Sequence, residues 1–173
     1  KTANMMNIAA FGCKRSKGVA IFSLEMEKEQ LMQRILANLT GIDSMRIQQG
    51  KLEGDEWGML AAAVDEVGKW NLVIDDTKAL SPGLVRTKLM RISMEMDLDL
   101  VVLDYIQLMD AGRRIDSRAQ EIGFISRNLK ILAGDMKIPL VAGAQLNRSV
   151  EHRQDRRPQL SDLRDSGSLE QDA

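Results

Sequence analysis

The sequence has few of the residues that build disulfides and zinc sites. It contains one cysteine, Cys13, and one histidine, His152, among 173 residues. A single cysteine cannot form an internal disulfide, and one Cys with one His cannot build a Cys/His zinc site. These absences exclude a disulfide scaffold and a Cys/His zinc site within the chain, and they fit a reducing cytosol.

Long apolar runs and an excess of one charge are also missing. No apolar stretch approaches the roughly 20 residues of a membrane span, and the first residues have no basic region leading into an apolar stretch and a cleavage site. The net charge is −1, so there is no overall basic field that would attract nucleic acid. The sequence therefore predicts a cytoplasmic globular chain in which any nucleic-acid contact is local.

Apolar runs of strand length alternate with segments of helical period. The runs are short and continuously apolar, which is typical of strands buried on both faces. The predicted strands are residues 19–24 (VAIFSL), 72–74 (LVI), 100–103 (LVVL) and 140–144 (LVAGA). The predicted helices are Glu27 to Leu39, a segment opened by Ser81 and Pro82, and a stripe from Ile122 to Leu132. This order predicts one α/β domain, 1–173, with a mainly parallel sheet flanked by helices.

Three predicted strands end in a polar side chain, at the edge where parallel α/β sheets collect ligands. Asp104 could hold a magnesium ion, or it could cap the next turn. Glu25 could orient a water molecule, or it could be an acid favoured by the dipole of the following helix. Gln145 could contact a γ-phosphate, or it could satisfy turn backbone. Each of these residues alone has an ordinary structural explanation, but three such strand ends in one chain are harder to explain as coincidence than one.

The first two residues and two polar segments are further candidates. Lys1 and Thr2 precede a helix-spaced apolar series that starts at Met5, as the last two letters of a G-x-x-x-x-G-K-[ST] phosphate loop do. The glycines of such a loop are not in the sequence. If only Lys1 and Thr2 are considered, an arbitrary chain start is favoured over a phosphate-binding loop. The polar segments 110–117 and 147–165 follow strand ends and are predicted to be functional loops.

Four blocks of sequence occur in a characteristic order and spacing. They are IFSLEM, then GIDSMRIQQGKL before a helix and the IDD strand, then VVLDYIQLM, and last AQLNRSVEHRQDRRPQLSDLRDSGSLEQDA. In these blocks the chain resembles, over essentially its whole length, the RecA-like ATPase domain of the hexameric replicative DNA helicases of the DnaB type. The resemblance implies a RecA-like P-loop NTPase fold. It also implies a ring-shaped homo-hexamer that hydrolyses ATP at subunit interfaces and moves along single-stranded DNA.

The resemblance also assigns roles by matching position. It implies that Lys1 neutralises charge on the β- and γ-phosphates and that Thr2 and Asp104 bind magnesium. It implies that Glu25 is the catalytic carboxylate and that Gln145 senses the γ-phosphate and reports to the DNA loop. Phosphoryl transfer depends mainly on positioning and charge stabilisation, so these few groups suffice on one side of an ATP site.

For DNA, the resemblance points to Arg164, Asp165 and Gly167 in LRDSGS. Arg164 would supply charge, and Gly167 would allow close approach of the backbone to a phosphate. Asp165 stands where the family usually has Glu, and a main-chain NH at this position would bind phosphate with either residue. No Phe, Tyr or Trp lies between 147 and 173, so base stacking is not expected, and contacts should run to the DNA backbone with strong salt dependence.

The resemblance further implies that these residues are a partial motor domain, incomplete at both ends. A strand and the glycine-rich loop would precede Lys1. An arginine finger and a primase-interacting domain would also lie outside the 173 residues, and a helicase loader is a further expected partner. If the residues fold without these flanks, the sheet should show a gap or exposed strand edges.

Two other functions stay open. A RecA-like ATPase of the strand-exchange or clock type would share the strand-end acids but should lack the LRDSGSLEQDA block. A helicase-like binding module would dock a partner without turning over ATP.

The methionines and tryptophans have simpler interpretations. Met90, Met94 and Met96 are predicted to fill gaps in the core or a helix interface. Trp57 and Trp70 flank a helix and are predicted to pack beneath it.

Overall fold

The sheet is parallel throughout the part of the chain that can be described. The computed structural model describes residues 2–146, 155, 157, 159, 162 and 169–172. The strands are β1 (Val19–Ser23), β2 (Leu72–Asp75), β3 (Leu100–Asp104) and β4 (Leu140–Ala142). They pair in the order β2-β1-β3-β4, and the three pairings between them are all parallel. The predicted parallel α/β sheet is therefore confirmed, and its strand bounds differ from the predicted ones by two residues at most.

Helices connect the strands. They are α1 (Thr2–Cys13), α2 (Lys28–Thr40), α3 (Ser44–Gln49), α4 (Glu56–Val67), α5 (Pro82–Glu95), α6 (Arg118–Met136) and α7 (Leu169–Asp172), with a 3₁₀ turn at Ile106–Leu108. The N-cap of α5 is as predicted, because the Ser81 hydroxyl accepts a hydrogen bond from the Leu84 NH (3.3 Å) and Pro82 occupies the first turn. Among the helices of the described residues, none has the length and hydrophobicity of a transmembrane helix.

The sheet separates two apolar cores. Successive side chains of a strand point to opposite faces, so Val19 and Ile21 of β1 join one core while Ala20 and Phe22 join the other. The first core packs α1, α2 and α4 on the sheet through Met5, Ala9, Leu31, Ile35 and Ala63. The second packs α5 and α6 through Val85, Leu89, Ile122, Ile125 and Leu129. Because helices cover both faces, every residue of β1 is buried.

A close backbone contact sets the register of β1 against β3. The Gly18 NH donates to Asp99 Oδ2 (2.9 Å), and the Gly18 carbonyl accepts from the NH groups of Asp99 (2.8 Å) and Leu100 (3.1 Å). A Cβ atom at Gly18 would lie 1.8 Å from the Asp97 carbonyl oxygen, so only glycine fits without displacement. Hydrogen bonds from the Gly18 NH and the Lys17 ammonium hold the pKa of Asp99 below its usual value.

The described strands form a continuous sheet without a gap. Within the described residues, β2 and β4 each pair with one neighbour, so the sheet has the open edges that were expected. All three residues of β4 are half-buried. The expected strand before Lys1 lies outside the sequence and stays a prediction.

Some large apolar side chains lie outside the cores. Met90, Met94 and Trp57 are 58%, 88% and 56% exposed, so Met90 and Met94 do not fill the core and the prediction that Trp57 packs beneath its helix is wrong. Met96 is half-buried and packs against the second core, as predicted. Met90 and Met94 fall on the outer face of α5, because Val85, Leu89 and Ile92 occupy its inner face. Trp70 is half-buried and packs against the first core, as predicted.

Cys13, the last residue of α1, packs as a small apolar residue. Its side chain is buried, and burial raises the pKa of the thiol to about 11 because the thiolate loses its hydration. Since the thiolate is the reactive form, Cys13 is expected to be chemically inert in the folded chain.

Candidate functional site

The carboxyl ends of β1, β3 and β4 meet at one edge of the sheet. Ser23 is paired with Asp104, and the Leu24 NH donates to the Asp104 carbonyl (3.0 Å). On the other side of β3, the Ile106 NH donates to the Gly143 carbonyl (2.9 Å). These bonds bring the segments that carry Glu25, Asp104 and Gln145 to the same edge.

The N-terminus of α1 contacts the end of β3. The Thr2 hydroxyl donates to Asp104 Oδ2 at 2.5 Å, across 102 positions of sequence. Asp104 is only 3% exposed. A hydroxyl and a carboxylate are the hard oxygen ligands that magnesium prefers, and the first NH groups of this 12-residue helix carry partial positive charge. The two oxygen ligands fit a magnesium ion, and the NH groups of the helix N-terminus fit a phosphate group beside it.

The acidic residues of the described chain do not build a metal cage. Among those residues, no group of three or more His, Cys, Asp or Glu side chains converges as a metal site would require. Magnesium needs no such group, because it usually keeps several waters and takes one or two protein ligands together with substrate phosphates. The pair of Thr2 and Asp104 matches this type of coordination.

Glu25 is an exposed residue of the loop between β1 and α2, and this loop is braced at both ends. At one end, the Ser23 hydroxyl donates to the Met26 carbonyl (2.7 Å) and accepts from the Met26 NH (3.2 Å). At the other end, the Lys28 NH donates to the carboxylate of Asp76, which follows β2 (3.2 Å). The backbone beside Glu25 is therefore fixed, while its side chain reaches solvent at the sheet edge.

The end of β2 carries a partly buried ion pair. Lys88 Nζ of α5 lies 2.5 Å from Asp75 Oδ2 and 3.0 Å from Thr77 Oγ1. Burial acts to raise the pKa of Asp75, but hydrogen bonds from Lys88 and Thr77 outweigh it, so the pKa lies below the usual value. The pair joins α5 to the sheet. Sequence reasoning did not assign it a role.

The backbone of Gln145 is bonded to a second glutamine. The Gln145 NH donates to Gln107 Oε1 (3.1 Å), and Gln107 Nε2 donates to the Gln145 carbonyl (3.5 Å). The Gln145 side chain is exposed. Sequence reasoning missed Gln107, although a polar residue within the apolar YIQLM segment was a visible signal.

Four candidate residues lie outside the described part of the chain. They are Lys1, Arg164, Asp165 and Gly167. Their assigned roles stay predictions.

The parallel sheet, with a helix N-terminus, a hydroxyl and strand-ending acids at one edge, defines a nucleotide-binding domain of the RecA-like class. The model of the DnaB-like helicase C-terminal domain family matches residues 1–173. The chain belongs to this family.

Individual relatives agree with this assignment. The replicative DNA helicase DnaB of Geobacillus stearothermophilus is 43% identical over 175 residues, which cover 100% of this chain and 38% of that relative. A solved structure of an ATPase domain matches with a TM-score of 0.96 and 34% identity, over 100% of this chain and 62% of that one. A DnaB-like replicative helicase, described with its interactions with primase, matches with a TM-score of 0.94 and 34% identity, over 99% of this chain and 42% of that one. The chain therefore spans less than half the length of the curated relative from Geobacillus.

Proposed function

We propose that this chain is the motor part of a replicative DNA helicase. It hydrolyses ATP with magnesium at the subunit interfaces of a homo-hexamer, translocates on single-stranded DNA and unwinds duplex. The observation that carries the proposal is the 2.5 Å contact between Thr2 and the buried Asp104, at the sheet edge that also carries Glu25 and Gln145. Membership of the DnaB-like family supports the same function.

Lys1, Thr2 and Asp104 hold the nucleotide. The Thr2 hydroxyl and the Asp104 carboxylate bind magnesium, which when bound neutralises charge on the phosphate oxygens. Lys1 adds positive charge at the β- and γ-phosphates, and the first NH groups of α1 donate to phosphate oxygens. These groups position the γ-phosphate for attack.

Glu25 and Gln145 act on the reacting groups. Glu25 orients a water molecule and accepts its proton as the water oxygen bonds to the γ-phosphorus. The bond from this phosphorus to the bridging oxygen breaks, and ADP leaves with the electron pair. Gln145 donates to a γ-phosphate oxygen and links the nucleotide state to the DNA-binding segment that follows it in the sequence.

DNA contact is local in this proposal. Arg164, Asp165 and Gly167, which lie outside the described residues, bind consecutive phosphates of one strand through charge and backbone NH groups. A net charge of −1 gives the chain no general attraction for DNA, so these few contacts have to supply it.

Partners and location complete the proposal. A structural relative is described with its interactions with primase, and we propose that primase and a helicase loader bind regions that these 173 residues do not include. We also propose that the protein acts in the cytoplasm.

ATP turnover with and without single-stranded DNA tests the function. The protein is made at the length of its relatives, because this chain covers 38% of the relative from Geobacillus. Wild type should be stimulated by DNA. Glu25→Gln should lower kcat by roughly 10²- to 10⁴-fold, since it removes the proton acceptor. Arg164→Ala should lose the stimulation, whereas Arg86→Ala, at an exposed ion pair with Asp135, should keep it.

The other outcomes separate the alternatives. Turnover that ignores DNA would indicate another RecA-like ATPase, of the strand-exchange or clock type. No turnover from a hexameric protein supplied with magnesium would indicate a binding module instead.

A further inference from the structure

Gln107 holds the backbone of Gln145 from the neighbouring strand end. It lies in the 3₁₀ turn that follows β3, three residues after Asp104. Its amide oxygen accepts from the Gln145 NH (3.1 Å) and its amide nitrogen donates to the Gln145 carbonyl (3.5 Å), so both bonds run between one side chain and the backbone of one residue. This arrangement restrains the backbone of Gln145, which lies beyond the end of β4, and leaves the Gln145 side chain exposed.

Gln107 is itself restrained by a charged pair. Its carbonyl accepts from Arg118 Nη2 (2.6 Å), at the start of α6. The other terminal nitrogen of Arg118 donates to Glu121 Oε2, and Glu121 Oε1 accepts from the Ala111 NH (3.3 Å). A guanidinium that bonds a carboxylate and a carbonyl together has a fixed plane, and charge-assisted bonds of this kind are about twice as strong as neutral ones. A continuous series of hydrogen bonds therefore runs from Gln145 to the segment 110–117.

We propose that Gln107 is a positioning residue that places Gln145 for its contact with the γ-phosphate, and that Arg118 and Glu121 hold Gln107 in place. The inference rests on the proposed function, because it needs Gln145 to act on the nucleotide. It adds that the segment 110–117 and the start of α6 are connected to the nucleotide state through Gln107.

Gln107→Met tests the proposal. Methionine has a similar length but cannot make the pair of amide hydrogen bonds. ATP turnover should fall about ten- to hundredfold in kcat, because a small misplacement of a reacting group has a cost of this order. The KM for ATP should change little, since Gln107 bonds to protein groups. Gln49→Met, at an exposed position of α3, is the matched control and should keep the wild-type kcat.

A double-variant cycle distinguishes positioning from general damage. If Gln107 acts through Gln145, the double variant Gln107→Met with Gln145→Ala should be no slower than Gln145→Ala alone. Arg118→Ala should lower kcat in the same direction and be equally non-additive with Gln145→Ala. The proposal would be overturned if the kcat losses of Gln107→Met and Gln145→Ala multiply in the double variant. A wild-type kcat in Gln107→Met would also overturn it.

Failure of the inference can be told apart from failure of the function. A wild-type protein that turns over ATP while Gln145→Ala stays fully active overturns the inference and leaves the ATPase function intact. A wild-type protein without turnover overturns the proposed function first. If Gln107→Met does not fold, judged by thermal melting, Gln107→Asn makes the same test, because its shorter amide cannot reach both groups of Gln145.

Discussion

At the scale of single residues, Lys88 controls the environment of the carboxylate that ends β2. The side chains of Lys88 and Asp75 are 28% and 19% exposed, so water screens their interaction only in part. The hydrogen bond from Lys88 keeps the pKa of Asp75 below its usual value in spite of burial. Such a pair stabilises the fold only while the carboxylate is ionised.

Removing the lysine should therefore have an effect that depends on pH. Lys88→Met should lower the free energy of unfolding by about 1–3 kcal/mol at neutral pH, because it leaves a partly buried carboxylate without its charged donor. Asp75 has a lowered pKa in the folded state, so its contribution exists above the unfolded pKa and is lost as pH falls through the folded pKa. The difference between wild type and Lys88→Met should shrink on acidification, as urea denaturation at several pH values can measure.

A second substitution serves as the control for this prediction. In an Asp75→Asn background, Lys88→Met should lower the free energy of unfolding by a smaller amount at neutral pH, and this amount should no longer depend on pH. An equal cost for Lys88→Met at neutral and acidic pH would show that packing of the lysine stem, and not its charge, is what matters.

Site residues differ in how well their sequence predicts them. Asp104, Glu25 and Gln145 could be located because each ends or follows a continuous apolar run, which is a local signal. The contact of Gln107 could not be predicted, although its polar side chain in the YIQLM segment was visible, because it is made with a backbone segment 38 positions away. Met94 was misassigned for a related reason, since a helix of mixed composition does not reveal which of its apolar residues face the sheet.

At the scale of secondary-structure elements, the segment before β1 depends on one glycine. Gly18→Ala should be destabilising by about 1–3 kcal/mol, because its Cβ would push the Asp97 carbonyl away from the start of β1. Gly58→Ala is the matched control. Gly58 lies inside α4, and a methyl group added there would meet no atom within 4 Å, so alanine should stabilise the helix by roughly 0.5–1 kcal/mol.

Thermal melting of the two variants measures both effects. The expected order of midpoints is Gly58→Ala above wild type and wild type above Gly18→Ala. A midpoint for Gly18→Ala equal to that of wild type would mean that the strand entrance can shift without loss of register.

The elements that were predicted from the sequence are those marked by an uninterrupted apolar run or by a helix-spaced apolar stripe. Strands β1 and β3 and helices α5 and α6 follow from uninterrupted apolar runs or stripes. Helix α3 was not predicted as a separate helix, because it has six residues and none of them is buried. The sequence does contain residues that favour the two ends of this helix, an Asp at position 43 and a Gly at position 50. In the structure the Asp43 side chain accepts hydrogen bonds from the NH groups of Met45 and Arg46, and Gly50 ends the helix.

At the scale of the whole molecule, a near-zero net charge predicts how DNA binding responds to salt. These 173 residues carry a net charge of −1, so under the proposed function their affinity for single-stranded DNA should come from a few phosphate contacts. The logarithm of the binding constant should fall with the logarithm of salt concentration by about 0.7 for each phosphate neutralised. Arg164→Ala removes one such contact, so it should make the slope less steep by about 0.7.

Fluorescence anisotropy with labelled oligonucleotides at several salt concentrations measures the slope. Arg86→Ala should keep the wild-type slope. Identical slopes for wild type and Arg164→Ala would exclude Arg164 as a phosphate contact, even if its affinity were lower.

The buried thiol of Cys13 gives the chain a practical property. Its side chain is 3% exposed and its pKa is about 11, so maleimide dyes should react with it slowly. A cysteine introduced at Arg114, whose side chain is 94% exposed, would then be the fast-reacting thiol of these 173 residues. A fluorophore attached there would report movements of the segment 110–117 in real time, without any need to remove the native cysteine.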